Sequence, residues 1–343
     1  MKRWLVFSGT LLLLIGLGIP AFAIQVGGYL NNRLQVIEGD TYDNTIIGAN
    51  KLKLDFQVNA DSYFMCGSLT GINNYGNKVD PNNSNSLAVT RAYLELYPSW
   101  GKVTAGLQNI AWGSGYLFNL ADKFNQPNPI DPKGEKAGIN ALGLKWNLTD
   151  TGFLEAVAAP GFESTLDNCD YGIRSKFTVG RFDLIADHVK KATVKTTVLE
   201  LKGELGNGLP GVWGQYAATC NPGAVDKSFK YLYTLGCDYT FDVGNGLYLL
   251  AEYNRDFQAD DFDQLYGLIR YSPAGYLTIN LSSLTDIQNK ADLFSLCLRY
   301  LFNDNIDIST TYNYYPAGSS KLRMLNPSNH IDQELVLELK ASF

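Results

Sequence analysis

The residues with chemistry to offer are acids and bases set two apart, with little that could act as a nucleophile or redox centre. Lys51, Lys53 and Asp55 occupy alternate positions of one segment, as do Arg91 and Glu95, Arg174 and Lys176, and Glu200 and Lys202. Lys145, Glu252, Arg299, Asp307 and Glu338 each alternate with apolar neighbours. On an extended chain every second side chain shares a face, so these segments would each present one charged surface. Walls of mixed charge hold water and bias the passage of small ions, which is the chemistry of conduction. A modest excess of acids points to a weak preference for cations. Catalysis is poorly supplied. The two histidines, His188 and His330, lie far apart. His330 has Ser328 and Asp332 nearby, but neighbours on an extended segment do not form a relay. Asp260, Asp261 and Asp263 carry oxygen ligands of the calcium type, and a solvated turn is the plainer reading. No Walker or dinucleotide loop appears, because no βαβ unit exists to hold one. An enzyme, a cofactor and a bound metal are therefore not expected.

The elements that position these charges begin after an export leader. Lys2 and Arg3, an apolar run around Leu11 to Gly18, and Ala21-Phe22-Ala23 form the pattern of a cleavable signal peptide over residues 1–23. Losing Lys2 and Arg3 moves the formal net charge from −6 to −8, which argues against nucleic acid as a partner. No apolar run in residues 24–343 is long enough for a spanning helix. Cys66, Cys169, Cys220, Cys237 and Cys297 show no metal-ligand spacing, and an odd number cannot pair completely. Cys169 and Cys220 are the one pairing worth weighing, and free thiols are the expected state.

Residues 24–343 read as a single domain in which period two dominates. In the last segment Ile331, Gln333, Leu335, Leu337, Leu339, Ala341 and Phe343 take one face, and Asp332, Glu334, Val336, Glu338, Lys340 and Ser342 the other. About 18 strands are expected, with 16 as the alternative. Every second connection is short and rich in Gly, Asn and Asp, such as Gly206-Asn207-Gly208 and Asp242-Val243-Gly244-Asn245-Gly246. The intervening ones are mostly longer: residues 71–85, 110–137, 160–169, 219–229 and 316–330. Short turns on one rim and long loops on the other predict an all-β, antiparallel, up-and-down transmembrane β-barrel. Lipid offers backbone groups no hydrogen bonds, so an exported chain without spanning helices crosses a bilayer only as a closed barrel. Tyr97, Trp100, Trp146, Tyr248, Tyr271, Tyr300, Phe302 and Tyr315 fall near strand ends, where aromatic girdles sit.

The C-terminal pattern of Leu339, Ala341 and terminal Phe343 resembles the assembly signal of Gram-negative outer-membrane proteins. With the leader and the strand train, the whole chain is similar to the general and substrate-selective porins, a class of architecture rather than one named family. The resemblance implies the cell outer membrane as location and its lipid as surroundings. It also implies the barrel-assembly machinery as a partner of the last strand, and small hydrophilic solutes or ions as cargo. Homotrimers are common in this class, and no sequence feature decides that point. It further implies that the longest connection, residues 110–137, folds inward and narrows the pore. In that loop Trp112, Gly113, Gly115, Asp122, Lys123, Asp131, Lys133 and Glu135 are the candidate constriction residues. The expected function is passive diffusion through a water-filled lumen. The alternative is a plugged structural or adhesive barrel without channel activity.

Overall fold

The computed structural model describes residues 24–39, 45–76, 84–125, 136, 138–160, 169–222, 229–257, 262–288, 291–316 and 331–343. The expected leader, residues 1–23, together with His330, Asp260, Asp261 and three constriction candidates, Asp131, Lys133 and Glu135, lies outside the described residues. The strands are β1 (Gln25–Glu38), β2 (Thr45–Asn59), β3 (Tyr63–Gly76), β4 (Asn85–Leu96), β5 (Gly101–Gln108), β6 (Ile139–Asn147), β7 (Phe153–Ala159), β8 (Asp170–Val179) and β9 (Phe182–Lys191). They continue as β10 (Val194–Glu204), β11 (Gly211–Cys220), β12 (Phe229–Phe241), β13 (Leu247–Asp256), β14 (Phe262–Ala274), β15 (Leu277–Asp286), β16 (Ala291–Asn303), β17 (Ile306–Tyr314) and β18 (Gln333–Ser342). Each pairs antiparallel with the next, and β1 also pairs with β18, so the 18-stranded sheet closes on itself. Closure leaves no free edge. Among the described residues no helix is long and apolar enough to cross a membrane.

Burial runs opposite to that of a soluble sandwich. Leu52, Leu144, Leu199, Leu235, Leu281, Leu298 and Leu339 stand exposed on the outside. Lys53, Thr104, Arg174, Asp187, Glu200, Gln215, Thr234, Glu252 and Glu334 are buried inside. The alternation that produces this is local, but its sense is set by closure, since each one-residue step moves a side chain through the wall.

Several sequence expectations need correction. The third strand was expected to stop near residue 70 but runs to Gly76. Asn73 and Asn74 look like turn formers, yet they continue the ladder opposite Asn50 and Ala49. Tyr248 and Tyr315 do not belong to an outer girdle. Tyr248 shares its face with Leu250 and Glu252, and its hydroxyl donates to Asp238 at 2.8 Å inside the barrel. Tyr315 is buried. Trp100, Trp146, Tyr300 and Phe302 stand exposed, whereas the Tyr97 hydroxyl donates to lumen-facing Glu95 at 2.7 Å. The connection between β9 and β10, on the long-loop rim, is a tight turn at residues 192–193, as the spacing of the two segments predicts. Ala192 adopts φ 51° there, and its N–H donates to Asp170 Oδ1 at 2.6 Å. No disulfide joins the five cysteines.

Candidate functional site: the loop across the lumen

The connection between β5 and β6 leaves the wall and folds into the barrel. Its described part, residues 109–125, is closed at its ends by a reciprocal pair of bonds. Asn125 Oδ1 accepts from Ile110 N at 3.1 Å, and Asn125 Nδ2 donates to Ile110 O. Inside this closure, Gly113 takes φ +97°, which a side chain would strain. The turn lets Asn119 Nδ2 donate to Trp112 O at 2.8 Å.

Wall carboxylates hold the loop's backbone. Glu252 on β13 accepts from the N–H groups of Tyr116 at 2.8 Å, Leu117 at 2.7 Å and Phe118 at 2.8 Å. The Trp213 indole adds a fourth bond at 2.8 Å. Glu200 on β10 accepts from Ser114 N and Ser114 Oγ, both at 2.9 Å, and from Gln215 Nε2 at 2.8 Å. Gln215 in turn accepts from Leu120 N at 2.8 Å. Near the far end, Lys191 Nζ donates to the carbonyls of Lys123 and Phe124, both at 2.9 Å. A loop brought inside a barrel must find partners for its backbone groups, and here the wall supplies them.

The loop also has an apolar seat. Trp112, Leu120, Ala121 and Phe124 pack on Ala141, Val157, Ala159, Val189, Val198 and Ala217, which face inward from β6, β7 and β9 to β11. Trp112 and Phe124 meet edge to face at 5.3 Å over Gly172. A Cβ at Gly172 would lie 2.7 Å from Phe124 and 2.8 Å from Trp112, so only glycine admits this approach. Further along, Phe118 packs with Leu284 and Ala291, carrying the loop to β15 and β16.

Between the loop and the wall of β4 to β8 lies a cavity of about 450 Å³. Its lining includes Arg91, Tyr93, Glu95, Lys102, Lys145, Phe153, Glu155 and Arg174. Lys102 pairs with Glu95 at 2.7 Å. Arg174 stands 3.4 Å from both Asp187 and Glu200, and lies over the Trp112 ring at 5.8 Å. Lys145 lies over the Phe153 ring at 3.9 Å.

The candidate wall residues Lys51, Lys53, Asp55, Arg91, Glu95, Lys145, Arg174, Lys176, Glu200, Lys202, Glu252, Arg299, Asp307 and Glu338 all alternate with outward apolar positions. Many pair with neighbours: Lys53 with Asp55 at 3.4 Å, Lys176 with Asp183 at 2.9 Å, Arg299 with Asp307 at 2.8 Å and Glu338 with Arg33 at 3.9 Å. Lys51 lies over the Tyr29 ring at 5.6 Å. In the loop, Trp112 and Gly113 belong to the seat and its turn, and Gly115 packs against Phe118. Asp122 pairs with Lys136 and accepts from Asn125 at 3.1 Å. Burial holds the Lys123 amine below the usual lysine range, opposed by Asp122 and reinforced by Lys191. Sequence reading passed over Glu155, Lys102, Gln215 and Lys191. Among the described residues no His, Cys, Asp and Glu cluster is arranged to hold a metal ion.

OccK5 (OpdH) of Pseudomonas aeruginosa superposes with a TM-score of 0.64 at 10% identity, over 93% of this chain and 98% of its own. The porin of Rh. blastica, in a mutant form, superposes at 0.53 with 14% identity, over 94% and 100%. This is the porin fold. Acinetobacter baumannii OccAB4 shows it again at 0.64 and 9% identity, over 94% and 99%. No family model matches the sequence, and no curated protein matches it either. The porin fold is thus shared with little trace of common sequence.

Proposed function

We propose that this chain is an outer-membrane porin through which small hydrophilic solutes or ions diffuse passively, narrowed by the loop between β5 and β6. The observation that carries the reading is the loop itself, held inside a polar lumen by Glu200, Gln215 and Glu252. A barrel that is greasy outside and charged inside suits a bilayer around it and water within. The solved neighbours, outer-membrane porins, support the location and the class of activity. The reading contains no catalytic step: His188 points away from the lumen and shares a hydrogen bond with outward Thr197 at 2.9 Å. The last strand, ending in Leu339, Ala341 and Phe343, would present the chain to the assembly machinery. Planar-bilayer recording of the purified protein tests the channel. Stepwise ion-carrying openings are expected, and a folded but silent barrel would favour the plugged alternative.

A further inference from the structure

The outer face is mostly apolar among the described residues, with isolated polar side chains such as Asn140 and His188 toward the loop ends of their strands. One region breaks the rule. Asn32 on β1, Asn50 on β2, Asn73 on β3 and Asn85 on β4 occupy adjoining outward positions. They bond in series: Asn32 Nδ2 donates to Asn50 Oδ1, Asn50 Nδ2 to Asn73 Oδ1 at 3.4 Å, and Asn73 Nδ2 to Asn85 Oδ1 at 2.7 Å. A carboxamide has two N–H donors and an oxygen with two lone pairs, so the series leaves donors and acceptors unspent along the row. Leu30, Leu52 and Leu87 flank it, and Asn32 lies opposite Leu339. At that depth hydrocarbon offers amides nothing, and unmet polar groups are costly.

The same surface has a matching shape. A Cβ on Gly71 would touch only Leu87 and the Ser86 carbonyl. The result is an outer depression of about 500 Å³ bordered by Leu30, Leu52, Asn73 and Leu87. Leu87 at its edge is 72% exposed, more than any other large apolar residue described.

We propose that the outer face of β1 to β4 is the docking surface for a second copy of this chain, the two asparagine rows lying against each other. A row that both donates and accepts is complementary to itself. Acyl chains would fill the groove but leave the amides unmet, and lipid headgroups would reach the Asn85 end without reaching Asn32. Leu87 of each copy fills the glycine groove of the other, so small residues admit close approach while amides bond across. Four strands spaced ~4.8 Å apart and an apolar band ~25 Å tall offer about 500 Å² per copy. Two faces then reach about 1,000 Å², where specific contacts begin.

The test is the mass of the mature protein in mild detergent and in lipid nanodiscs, by light scattering and native mass spectrometry. A dimer is expected. Asn50→Leu with Asn73→Leu should raise its dissociation constant at least tenfold, and so should Gly71→Trp, which fills the groove without touching the row. Heat-modifiable gel mobility reports that each variant is folded, and Leu87→Ala replaces any that is not. A monomeric wild type, a monomer carrying bound lipid in the groove, or an oligomer indifferent to the substitutions overturns the proposal. Single-channel conductance per barrel stays unchanged throughout, which keeps this test separate from that of the pore.

Discussion

Glu252 is wholly buried, and its carboxylate is satisfied by four N–H donors, three of them consecutive backbone amides of the loop. Such charge-assisted bonds are the strong kind. Glu252→Ala strands all four donors at about 1–3 kcal/mol each, so the loop should detach and single-channel conductance should rise. Glu252→Gln keeps one acceptor oxygen but turns an NH2 toward backbone donors, so an intermediate conductance is expected. Equal conductance in all three proteins would show that Glu252 does not position the loop. Lys145 bears on selectivity instead. It lines the cavity, lies over Phe153 and faces Glu155 across the β6–β7 ladder. Lys145→Glu should shift the reversal potential toward cations under a salt gradient, whatever the wild-type preference. Lys123 gives a pH dependence. Its amine is held below the ordinary lysine value by burial, so the unfolded chain binds the extra proton more readily than the docked loop does. Loop docking should therefore strengthen as pH rises through the depressed value toward about 10.4, and hydrogen exchange of the Phe118–Phe124 amides should slow relative to the intrinsic rate. Lys123→Met should remove that dependence, and a persisting one would assign it elsewhere.

Strands and loop differ in how far they could be read from sequence. Leu335, Leu337 and Leu339 against Glu334, Glu338 and Lys340 state their two faces locally, because period two needs only neighbouring residues. The loop's anchors do not, since Ser114 meets Glu200 across 86 residues and Tyr116 meets Glu252 across 136. A trace of the seat was nevertheless present. β7 reads Phe-Leu-Glu-Ala-Val-Ala-Ala, apolar on both faces, and its inward Val157 and Ala159 receive the loop. Taking apolar to mean lipid-facing hid both this patch and Glu155 beside it. Tyr248 failed for a related reason: nearness to a strand end says nothing about which face a ring takes. The seat makes its own prediction. Gly172→Val puts a branched side chain where the Trp112 and Phe124 rings lie within 2.8 Å. The barrel should still form, because β8 keeps its ladder, but the loop should be expelled from its seat. Trp112 fluorescence should then shift to the red, with the change largely lost when Trp112→Phe is added. An unshifted spectrum in folded Gly172→Val would mean the seat adapts.

Closure joins the first strand to the last, so no part of the sheet is sealed until the whole chain has been made. β1 and β18 pair from Glu38–Gln333 down to Tyr29–Ser342, and beyond them Gly28 and Phe343 exchange two backbone bonds at 3.0 Å. Contacts between chain ends form slowly, and until then both strands present open edges to any other chain. A recognition signal on the final strand suits this order of events, because it becomes available only when every partner strand exists. Phe343 itself contributes little to the folded barrel: the residue is 63% exposed on the outer surface near the rim, its ring lying over Gly28. Deleting Phe343 removes one pair of ladder bonds at the sheet's margin, a loss of about 1–3 kcal/mol spread over a barrel of 18 strands. If the residue acts in assembly, the deletion should lower the amount of folded protein in the outer membrane several-fold. The same variant refolded from urea into detergent should conduct like the wild type and melt within a few degrees of it. Were membrane abundance and refolded stability to fall together, Phe343 would be a structural residue and the signal would lie further up β18, at Ala341 or Leu339.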